Sequence, residues 1–189
     1  RYICEFRRNC QNTTDTYVLE TLLAAQKTGM LPGELQFLVR LPPADTVNLD
    51  GFSPPPHMVI EQPGVAAGGG RLKEQELSRA DDQHLIDSLT HADLLVTGPS
   101  TMAVDGAFFD KPIVIVNFEP THQSYFKSLS RFYDYDHFRP IMDSGGALVA
   151  KTPDELLTHV RTALDHPEGG QLGRERIRRK ECWAAEGKS

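Results

Sequence analysis

The sequence predicts a doubly wound α/β domain of Rossmann-like type, with a mostly parallel sheet and helices on both faces. Apolar runs of strand length alternate with amphipathic segments of helix length along the chain, and this alternation is typical of parallel sheets. The clearest unit runs from Ala92 to Glu119, where a strand, a tight turn, a helix and a second strand follow one another. The 189 residues fit a single domain, 1–189, in which a charged helix occupies residues 168–186.

The elements before this unit follow from apolar periodicity and from helix breakers. A weak strand is predicted at Tyr2–Phe6, and a helix at Tyr17–Lys27. Strands follow at Leu35–Leu41, apolar enough for burial in a sheet, and at Met58–Ile60. The segment Val65–Arg71 contains a glycine triplet without a following phosphate-loop lysine, so we interpret it as a flexible loop.

The elements that flank and follow the central unit are predicted in the same way. Asp81–Leu89 is an amphipathic helix, and Thr121–Pro140 is an aromatic and polar loop. Ala147–Ala150 forms a short strand. Thr152 then caps a helix that continues to Leu164, because Pro and two acids follow it in the first turn.

The turn between the central strand and its helix predicts an anion site. Gly98 and Pro99 end the strand, and Ser100 and Thr101 stand where the helix begins. Such a turn leaves backbone N–H groups unpaired at the helix start, and these groups, the helix dipole and two hydroxyls favour a phosphate. The alternative role of the two hydroxyls is a simple helix N-cap; the two roles are compatible.

Further polar residues are expected near this turn. Ligands of open α/β sheets bind outside the carboxyl ends of the strands, so Arg40, Glu61 and Asn117–His122 should border the same cleft. A guanidinium at the end of a strand is suited to bidentate phosphate binding. The alternative for Arg40 is a structural salt bridge to a neighbouring acid.

Composition excludes some functions and leaves others open. The formal net charge of -6 argues against nucleic-acid binding, which requires a basic face. Basic residues do gather near the end of the chain, and we interpret them as a solvated helix face, with peripheral contact to anionic lipid as an alternative. These residues are Arg174, Arg176, Arg178, Arg179 and Lys180.

Cysteine and histidine usage indicates neither a disulfide framework nor a metal site. The chain has an odd number of cysteines, and no two of them have the short spacing of a metal or disulfide motif; they are Cys4, Cys10 and Cys182. This usage favours a reducing, cytoplasmic setting. The histidines show no metal-ligand spacing. The chain begins at Arg1 rather than Met, and we therefore expect it to be a piece of a longer polypeptide.

The stretch ADLLVTGPSTMAVDGAFFDKPIV resembles the donor-binding half of GT-B-type transferases, and it is most similar to the CDP-glycerol glycerophosphotransferase-like and capsule-polysaccharide transferase group. There, a strand ending in a small-residue turn, paired hydroxyls, an acid and a final Lys-Pro recur. The resemblance extends over roughly residues 30–185 and includes EQPG, RFYDYDHF and GGALVAKTPDELLTHVRTAL. It departs at Leu41, where the glycerophosphotransferase group has a His before Pro.

The resemblance implies binding of a nucleotide-activated donor, a sugar nucleotide or CDP-polyol, as substrate and without a cofactor. The whole enzyme would transfer a glycosyl or polyol-phosphate group to a polysaccharide or lipid-linked acceptor in cell-envelope synthesis, in the cytoplasm at the inner face of the membrane. GT-B enzymes need a second, acceptor-binding domain, expected upstream in the same chain. The isolated chain is therefore expected to bind a donor without turning it over.

The catalytic group stays open among His137, His122 and Asp105. Asp105 lies four residues beyond Thr101, where its carboxylate favours the helix dipole, holds a donor hydroxyl or orients a loop. Each histidine is more often a surface residue than a catalytic one. We interpret the Asp-x-Asp pair at 134–136 as loop surface rather than a metal site, and Asp143–Gly146 as a turn or a second phosphate contact.

Two other functions remain open. A sugar-nucleotide 2-epimerase shares the GT-B architecture, but its pattern has Gly-Gly followed by paired Glu after the serine, whereas Ser100 precedes Thr-Met-Ala-Val-Asp here. A non-catalytic assembly module with a degenerate donor cleft is the other alternative. Nucleotide affinity would separate the transferase domain from the assembly module.

Overall fold

The protein is described by a computed structural model that covers residues 14–42, 49–66 and 75–182. By its contacts the chain divides into two compact units, Arg1–Ile86 and Asp87–Ser189. Both contain helices and short parallel strands, so the α/β class predicted from the alternating pattern is confirmed. Within the described part of the chain, the parallel sheets have two and three strands.

The first unit contains a two-stranded parallel sheet and a two-stranded antiparallel hairpin. The parallel strands pair in register from Phe37 opposite Met58 to Arg40 opposite Glu61. Helix α2 begins in this unit and ends beyond its boundary. In chain order the elements are α1 (Thr14–Lys27), β1 (Phe37–Arg40), β2 (Met58–Glu61), β3 (Val65–Ala66), β4 (Gln75–Glu76) and α2 (Arg79–His91).

The helices and strands predicted from the sequence at α1, α2, β1 and β2 are present, but two predictions for this unit were wrong. The strand expected to be buried at Leu35–Leu41 is shorter, and its Leu38 is 48% exposed. Part of the expected loop at Val65–Arg71 is a strand, because Val65 and Ala66 pair with Glu76 and Gln75. The predicted strand Tyr2–Phe6 lies outside the described residues.

The second unit contains a three-stranded parallel sheet in the order β5-β6-β7. A 3-10 turn at Tyr125–Lys127 precedes α4. In chain order the elements are β5 (Leu95–Thr97), α3 (Met102–Phe108), β6 (Ile113–Val116), α4 (Ser130–Tyr133), α5 (Arg139–Asp143), β7 (Leu148–Ala150), α6 (Pro153–Asp165) and α7 (Gln171–Glu181).

The core of the second unit is organised around β6. Its four residues are at most 2% exposed, because the strand is central in the sheet and both α3 and α6 pack against it. Burial on both faces explains why Ile113–Val116 is a continuous apolar run rather than an alternating one. Gly106 permits the close approach of α3, since a Cβ there would lie 2.7 Å from Leu95 Cδ2.

Helix α6 begins as the sequence predicts. Thr152 is its N-cap, and the Thr152 hydroxyl accepts a hydrogen bond from the backbone N–H of Glu155 at 3.1 Å. Pro153 occupies the first helical position. Capping and the fixed φ of proline together specify where this helix starts.

Two predictions for the end of the chain need correction. The segment Thr121–Pro140 is not a plain loop, because it contains the 3-10 turn, α4 and the start of α5. Arg174 does not belong to a solvated face, since it is 2% exposed. A charged helix is present as α7 (Gln171–Glu181), which is shorter than the expected 168–186, because Gly170 adopts a left-handed conformation before it and Cys182 is extended after it; residues 183–189 lie outside the described part of the chain.

None of the helices in the described part of the chain combines the length and the hydropathy that crossing a bilayer requires.

Candidate functional site

Arg40 and Glu61 occupy the last positions of two neighbouring parallel strands and form an ion pair. They are register partners in β1 and β2, and Arg40 Nη1 donates to Glu61 Oε1 at 2.7 Å. The side chains are only 17% and 20% exposed, so water screens the pair weakly. The structural salt bridge considered for Arg40 is therefore present, and a phosphate contact stays a prediction.

Glu61 also contacts a histidine that the sequence analysis did not single out. The Nε2 atom of His84 is hydrogen-bonded to Oε2 of Glu61, and the His84 side chain is 54% exposed. Arg40 Nη2 donates to the backbone carbonyl of Asp81, three residues before His84, at 3.1 Å. Residues three apart share a helix face, so the spacing of Asp81 and His84 was the available signal.

Asp81 fixes the start of α2 against the end of β2. Its carboxylate accepts hydrogen bonds from the N–H and hydroxyl of Ser78 at 2.8 and 2.7 Å and from the N–H of Gly64 at 3.1 Å. The Ser78 hydroxyl in turn accepts from the Asp81 N–H at 3.2 Å, which is the reciprocal arrangement of a capping box. The N–H and hydroxyl of Ser78, with the N–H of Gly64, lower the pKa of Asp81 from 3.8 to about 2.

The Gly98–Thr101 turn leaves the carboxyl end of β5 as predicted. Pro99 is buried, whereas Ser100 is half-buried and Thr101 is exposed. The Ser100 hydroxyl accepts from the N–H of Met102 at 3.3 Å, but Thr101 makes no side-chain cap. Within the described residues, no protein acceptor meets the backbone N–H groups of Ser100 and Thr101. Both groups are thus free to bind a ligand that reaches this turn.

Helix α3, which follows the Gly98–Thr101 turn, is short. It comprises seven residues, Met102–Phe108, so the partial charge at its start is smaller than that of a long helix. Any anion affinity of the turn must therefore come mainly from its N–H groups and hydroxyls.

Asp105 is half-buried on α3. Burial raises the pKa of its carboxyl group. Burial raises the pKa of the Cys182 thiol at the end of α7, and the negative charge of Asp105 raises it further. A contact of Asp105 to a donor hydroxyl stays a prediction.

The loop that follows β6 is held by its own polar side chains. The Glu119 carboxylate accepts a hydrogen bond from the N–H of Leu129, and the hydroxyl of Ser130 donates to Asn117 Oδ1 at 3.0 Å. Asn117 and Glu119 lie in the segment Asn117–His122, which was expected to border the cleft. Their contacts fix the return of the loop toward α4.

The two candidate histidines are both exposed. His137 packs between aromatic neighbours, with ring centroids 4.8 Å from Phe138 and 5.8 Å from Tyr135. His122 lies in the loop that follows β6. Among the described residues, no group of three or more His, Cys, Asp or Glu side chains converges as a metal site would require. Catalytic roles for His137 and His122 stay predictions.

The segment Asp143–Gly146 forms a turn that satisfies itself internally. The Ser144 hydroxyl accepts from the Gly146 N–H at 2.9 Å and donates to the Ile141 carbonyl at 2.7 Å. This geometry supports the interpretation of the segment as a turn. Because the Gly146 N–H already has a protein acceptor, it is not available to donate to a second phosphate.

The parallel strands of the second unit bring several segments to one edge. The carboxyl ends of β5, β6 and β7 lead into the Gly98–Thr101 turn, the loop from Asn117 and the N-cap Thr152, respectively. Two N–H groups at the start of α6 are already bonded, because Glu155 accepts from Lys151 and Thr152 accepts from Glu155. Arg40 and Glu61 belong to the first unit, and a single cleft that includes them stays a prediction.

An open cleft of about 390 Å³ lies elsewhere in the second unit. It is formed by residues of α5 and α7 and of the turns beside α5 rather than by the Gly98–Thr101 turn. Its lining is rich in charged groups of both signs. The lining residues are Asp136, Arg139, Pro140, Asp143, Ser144, Arg176 and Lys180.

Comparison of the chain with protein-family models, with curated proteins and with solved structures finds no match.

Proposed function

We propose that the chain is a Rossmann-like, doubly wound domain that forms the donor-binding half of a GT-B-type transferase. In this proposal it binds the diphosphate of a nucleotide-activated donor, a sugar nucleotide or CDP-polyol, at the Gly98–Thr101 turn. The parallel β5–α3–β6 unit supports the proposal, because ligands of such units bind at the carboxyl ends of the strands. The resemblance of residues 92–114 to the donor-binding half of these enzymes supports it independently.

One observation carries the proposal furthest. The N–H groups of Ser100 and Thr101 have no acceptor among the described residues, and the hydroxyls of the same two residues stand beside them. Four donors on two consecutive residues suit a phosphate, whose oxygens only accept. At the start of α6, by contrast, the N–H groups of Lys151 and Glu155 already have side-chain acceptors, which are Glu155 and Thr152 respectively.

In the proposed mechanism the turn stabilises negative charge on the departing nucleotide phosphate. Fixed N–H and O–H donors need no reorganisation as that charge develops. Glu61 already neutralises much of the charge of Arg40, so the proposal gives Arg40 a smaller part in this stabilisation than the turn. The proposed transfer also requires an acceptor-binding domain and a polysaccharide or lipid-linked acceptor at the inner face of the membrane.

Calorimetric titration of the chain with CDP, UDP, GDP and ADP tests the proposal. We expect one nucleotide to bind selectively and the double variant Ser100→Ala/Thr101→Ala to weaken that binding. Losing two hydrogen bonds to a charged phosphate should cost about 2–5 kcal/mol, which is most of a micromolar affinity.

The matched control is Thr158→Ala/Thr162→Ala, which removes two hydroxyls from exposed positions of α6. The control should bind as the wild type does. Binding that survives in the Ser100/Thr101 variant would place the nucleotide elsewhere. Folded protein that binds none of the four nucleotides would favour the assembly module over the donor domain.

A further inference from the structure

Three cationic side chains line the open cleft of the second unit. They are Arg139 at the start of α5 and Arg176 and Lys180 on α7. Arg176 and Lys180 lie four residues apart and share a helix face, where like charges repel each other. The cleft volume of about 390 Å³ falls in the range usual for small-molecule sites, roughly 300–1,000 Å³. The cleft therefore has the size and the cationic groups to hold a small anion.

These cations keep most of their hydrogen-bonding capacity. Within the described residues, none of the three forms an ion pair. Arg176 Nη1 donates to the Ser144 carbonyl at 3.1 Å, which uses one of the five N–H donors of the guanidinium. The side chains of Arg139 and Lys180 make no hydrogen bond to the part of the chain that the structure describes.

Close packing fixes one wall of the cleft. Helix α7 meets the turn after α5 backbone to backbone, since a Cβ at Gly173 would lie 2.1 Å from the N of Gly146. The hydrogen bond from Arg176 to Ser144 joins the same two elements, and Ser144 is buried. The backbone that carries the cations of α7 is thus in position before a ligand arrives, which lowers the entropic cost of binding.

Two carboxylates in the same lining restrict the kind of anion. Asp136 and Asp143 are exposed, and neither pairs with a cation of the described chain. Three cations and two carboxylates leave the lining a formal charge of +1, which attracts a polyanion or an anionic bilayer only weakly. Ionised carboxylates accept hydrogen bonds and cannot donate them. A fitting ligand therefore carries hydroxyl groups beside its anionic group.

A phosphate group suits the three cations better than a carboxylate does. Its tetrahedral oxygens accept hydrogen bonds from several directions at once, whereas one bidentate guanidinium already occupies both oxygens of a carboxylate. The cations of the cleft come from two helices, α5 and α7, so more than one of them can donate to the same phosphate.

We propose that the cleft binds a small phosphomonoester that carries hydroxyl groups, such as a sugar phosphate. The cationic side chains of α5 and α7 bind the phosphate, and Asp136 and Asp143 accept hydrogen bonds from the hydroxyls. The cleft shares no residue with the Gly98–Thr101 turn, so this site stands independently of the proposed donor site.

Calorimetric titration with glucose 6-phosphate, ribose 5-phosphate, inorganic phosphate and glucose tests the proposal. We expect a sugar phosphate to bind, inorganic phosphate to bind more weakly and glucose not to bind. Arg176→Gln and Lys180→Gln should each weaken sugar-phosphate binding roughly tenfold, since each removes a charge-assisted hydrogen bond. The matched control is Arg161→Gln, which removes the same charge from an exposed position of α6 and should bind as the wild type does.

A second variant tests the role of the carboxylates. Asp136→Asn/Asp143→Asn should strengthen the binding of inorganic phosphate, because two negative charges leave the lining. It should also narrow the preference for a sugar phosphate over inorganic phosphate, because the hydroxyls lose ionised acceptors. An unchanged preference would contradict the contact between the carboxylates and the hydroxyls.

Four further results would overturn the proposal. The first is no binding of either sugar phosphate by protein whose circular dichroism shows that it is folded. The second is binding that Arg176→Gln and Lys180→Gln leave unchanged. The third is loss of sugar-phosphate binding in Ser100→Ala/Thr101→Ala, which would place the phosphate at the turn. The fourth is binding to phosphatidic acid vesicles without binding to a soluble ester, which would identify a membrane contact.

Discussion

Arg174 is buried in the second unit and forms an ion pair with Asp110. The Arg174 side chain is 2% exposed, and its Nε donates to Asp110 Oδ1 at 2.8 Å. The rest of the guanidinium donates to the backbone carbonyls of Gly169 and Pro167. The pair therefore joins α7 to the turn between α3 and β6. Burial alone would raise the pKa of Asp110, but hydrogen bonds from Arg174 and Gln171 lower it.

Replacing Arg174 with leucine should destabilise the protein by about 3 kcal/mol. The change leaves two carbonyls without their donor and Asp110 without its partner. Urea unfolding measures the effect. Arg179→Leu is the matched control, because Arg179 is 71% exposed and, among the residues that the structure describes, its side chain pairs only with Glu175 on the same helix. The control should change stability by less than about 0.5 kcal/mol, and equal effects of the two variants would refute a special role for the buried pair.

Replacing Gly173 with alanine should destabilise the protein, although alanine is the better helix former. A Cβ at Gly173 would lie 2.1 Å from the backbone N of Gly146 and 2.2 Å from the carbonyl carbon of Gly145. Backbone atoms cannot move aside as a flexible side chain can, so we expect a loss of about 1–3 kcal/mol in urea unfolding.

The control for this prediction is Gly33→Ala, since a Cβ there meets nothing within 4 Å. It should be neutral or slightly stabilising. A stabilised Gly173→Ala protein would show that α7 does not approach the Gly145–Gly146 turn this closely.

The contribution of Asp81 to stability should depend on pH. In the folded protein the pKa of Asp81 is lowered from 3.8 to about 2. The ionised carboxylate therefore stabilises the fold fully when the pH is above the pKa of the unfolded chain. This stabilisation is lost as the pH falls through the pKa of the folded protein. The urea midpoint of the wild type should therefore exceed that of Asp81→Asn at neutral pH. This difference should shrink as the pH falls from about 4 to about 2.

Asp82→Asn removes an exposed carboxylate from the same first turn of α2 and controls for the loss of one charge. A difference between wild type and Asp81→Asn that stays constant down to pH 2 would argue against an ionised Asp81 that caps the helix.

Replacing Thr152 with alanine should destabilise the protein by about 1 kcal/mol, because α6 loses its N-cap hydrogen bond. Thr158→Ala on the same helix removes an exposed hydroxyl that only bonds back to the Asp154 carbonyl. That control should be neutral or slightly stabilising, since alanine has the higher helix propensity. Comparable losses in thermal unfolding of both variants would contradict the capping role.

The sequence predicted elements well where local signals are strong. The second strand of the Ala92–Glu119 unit, which the structure has at Ile113–Val116, and the Thr152-Pro153 helix start each depend on neighbouring residues, and both are confirmed. Prediction from the sequence failed where the burial of a residue depends on a contact that is distant in sequence. Nothing in the spacing of the basic residues distinguishes Arg174 from Arg176, because burial of Arg174 requires Asp110, 64 residues away in sequence.

The candidate site was predictable to a similar extent. The register of two parallel strands places Arg40 beside Glu61, and the sheet-edge argument anticipated that both residues lie at strand ends. The partnership of Glu61 with His84 was missed because it depends on how α2 meets the end of β2, which no local pattern specifies. Helix α3 ends at Phe108, two residues before Asp110 adopts a positive φ of 52°.

The measurement that tests the proposed donor site most directly is titration of the wild-type chain with CDP and UDP, observed in an amide proton–nitrogen correlation spectrum. The account predicts saturable shifts of the Ser100 and Thr101 amide signals, because their N–H groups would bind the phosphate. The account would be contradicted by saturable shifts confined to residues of the open cleft, such as Arg176 and Lys180, or by no saturable shift of either amide.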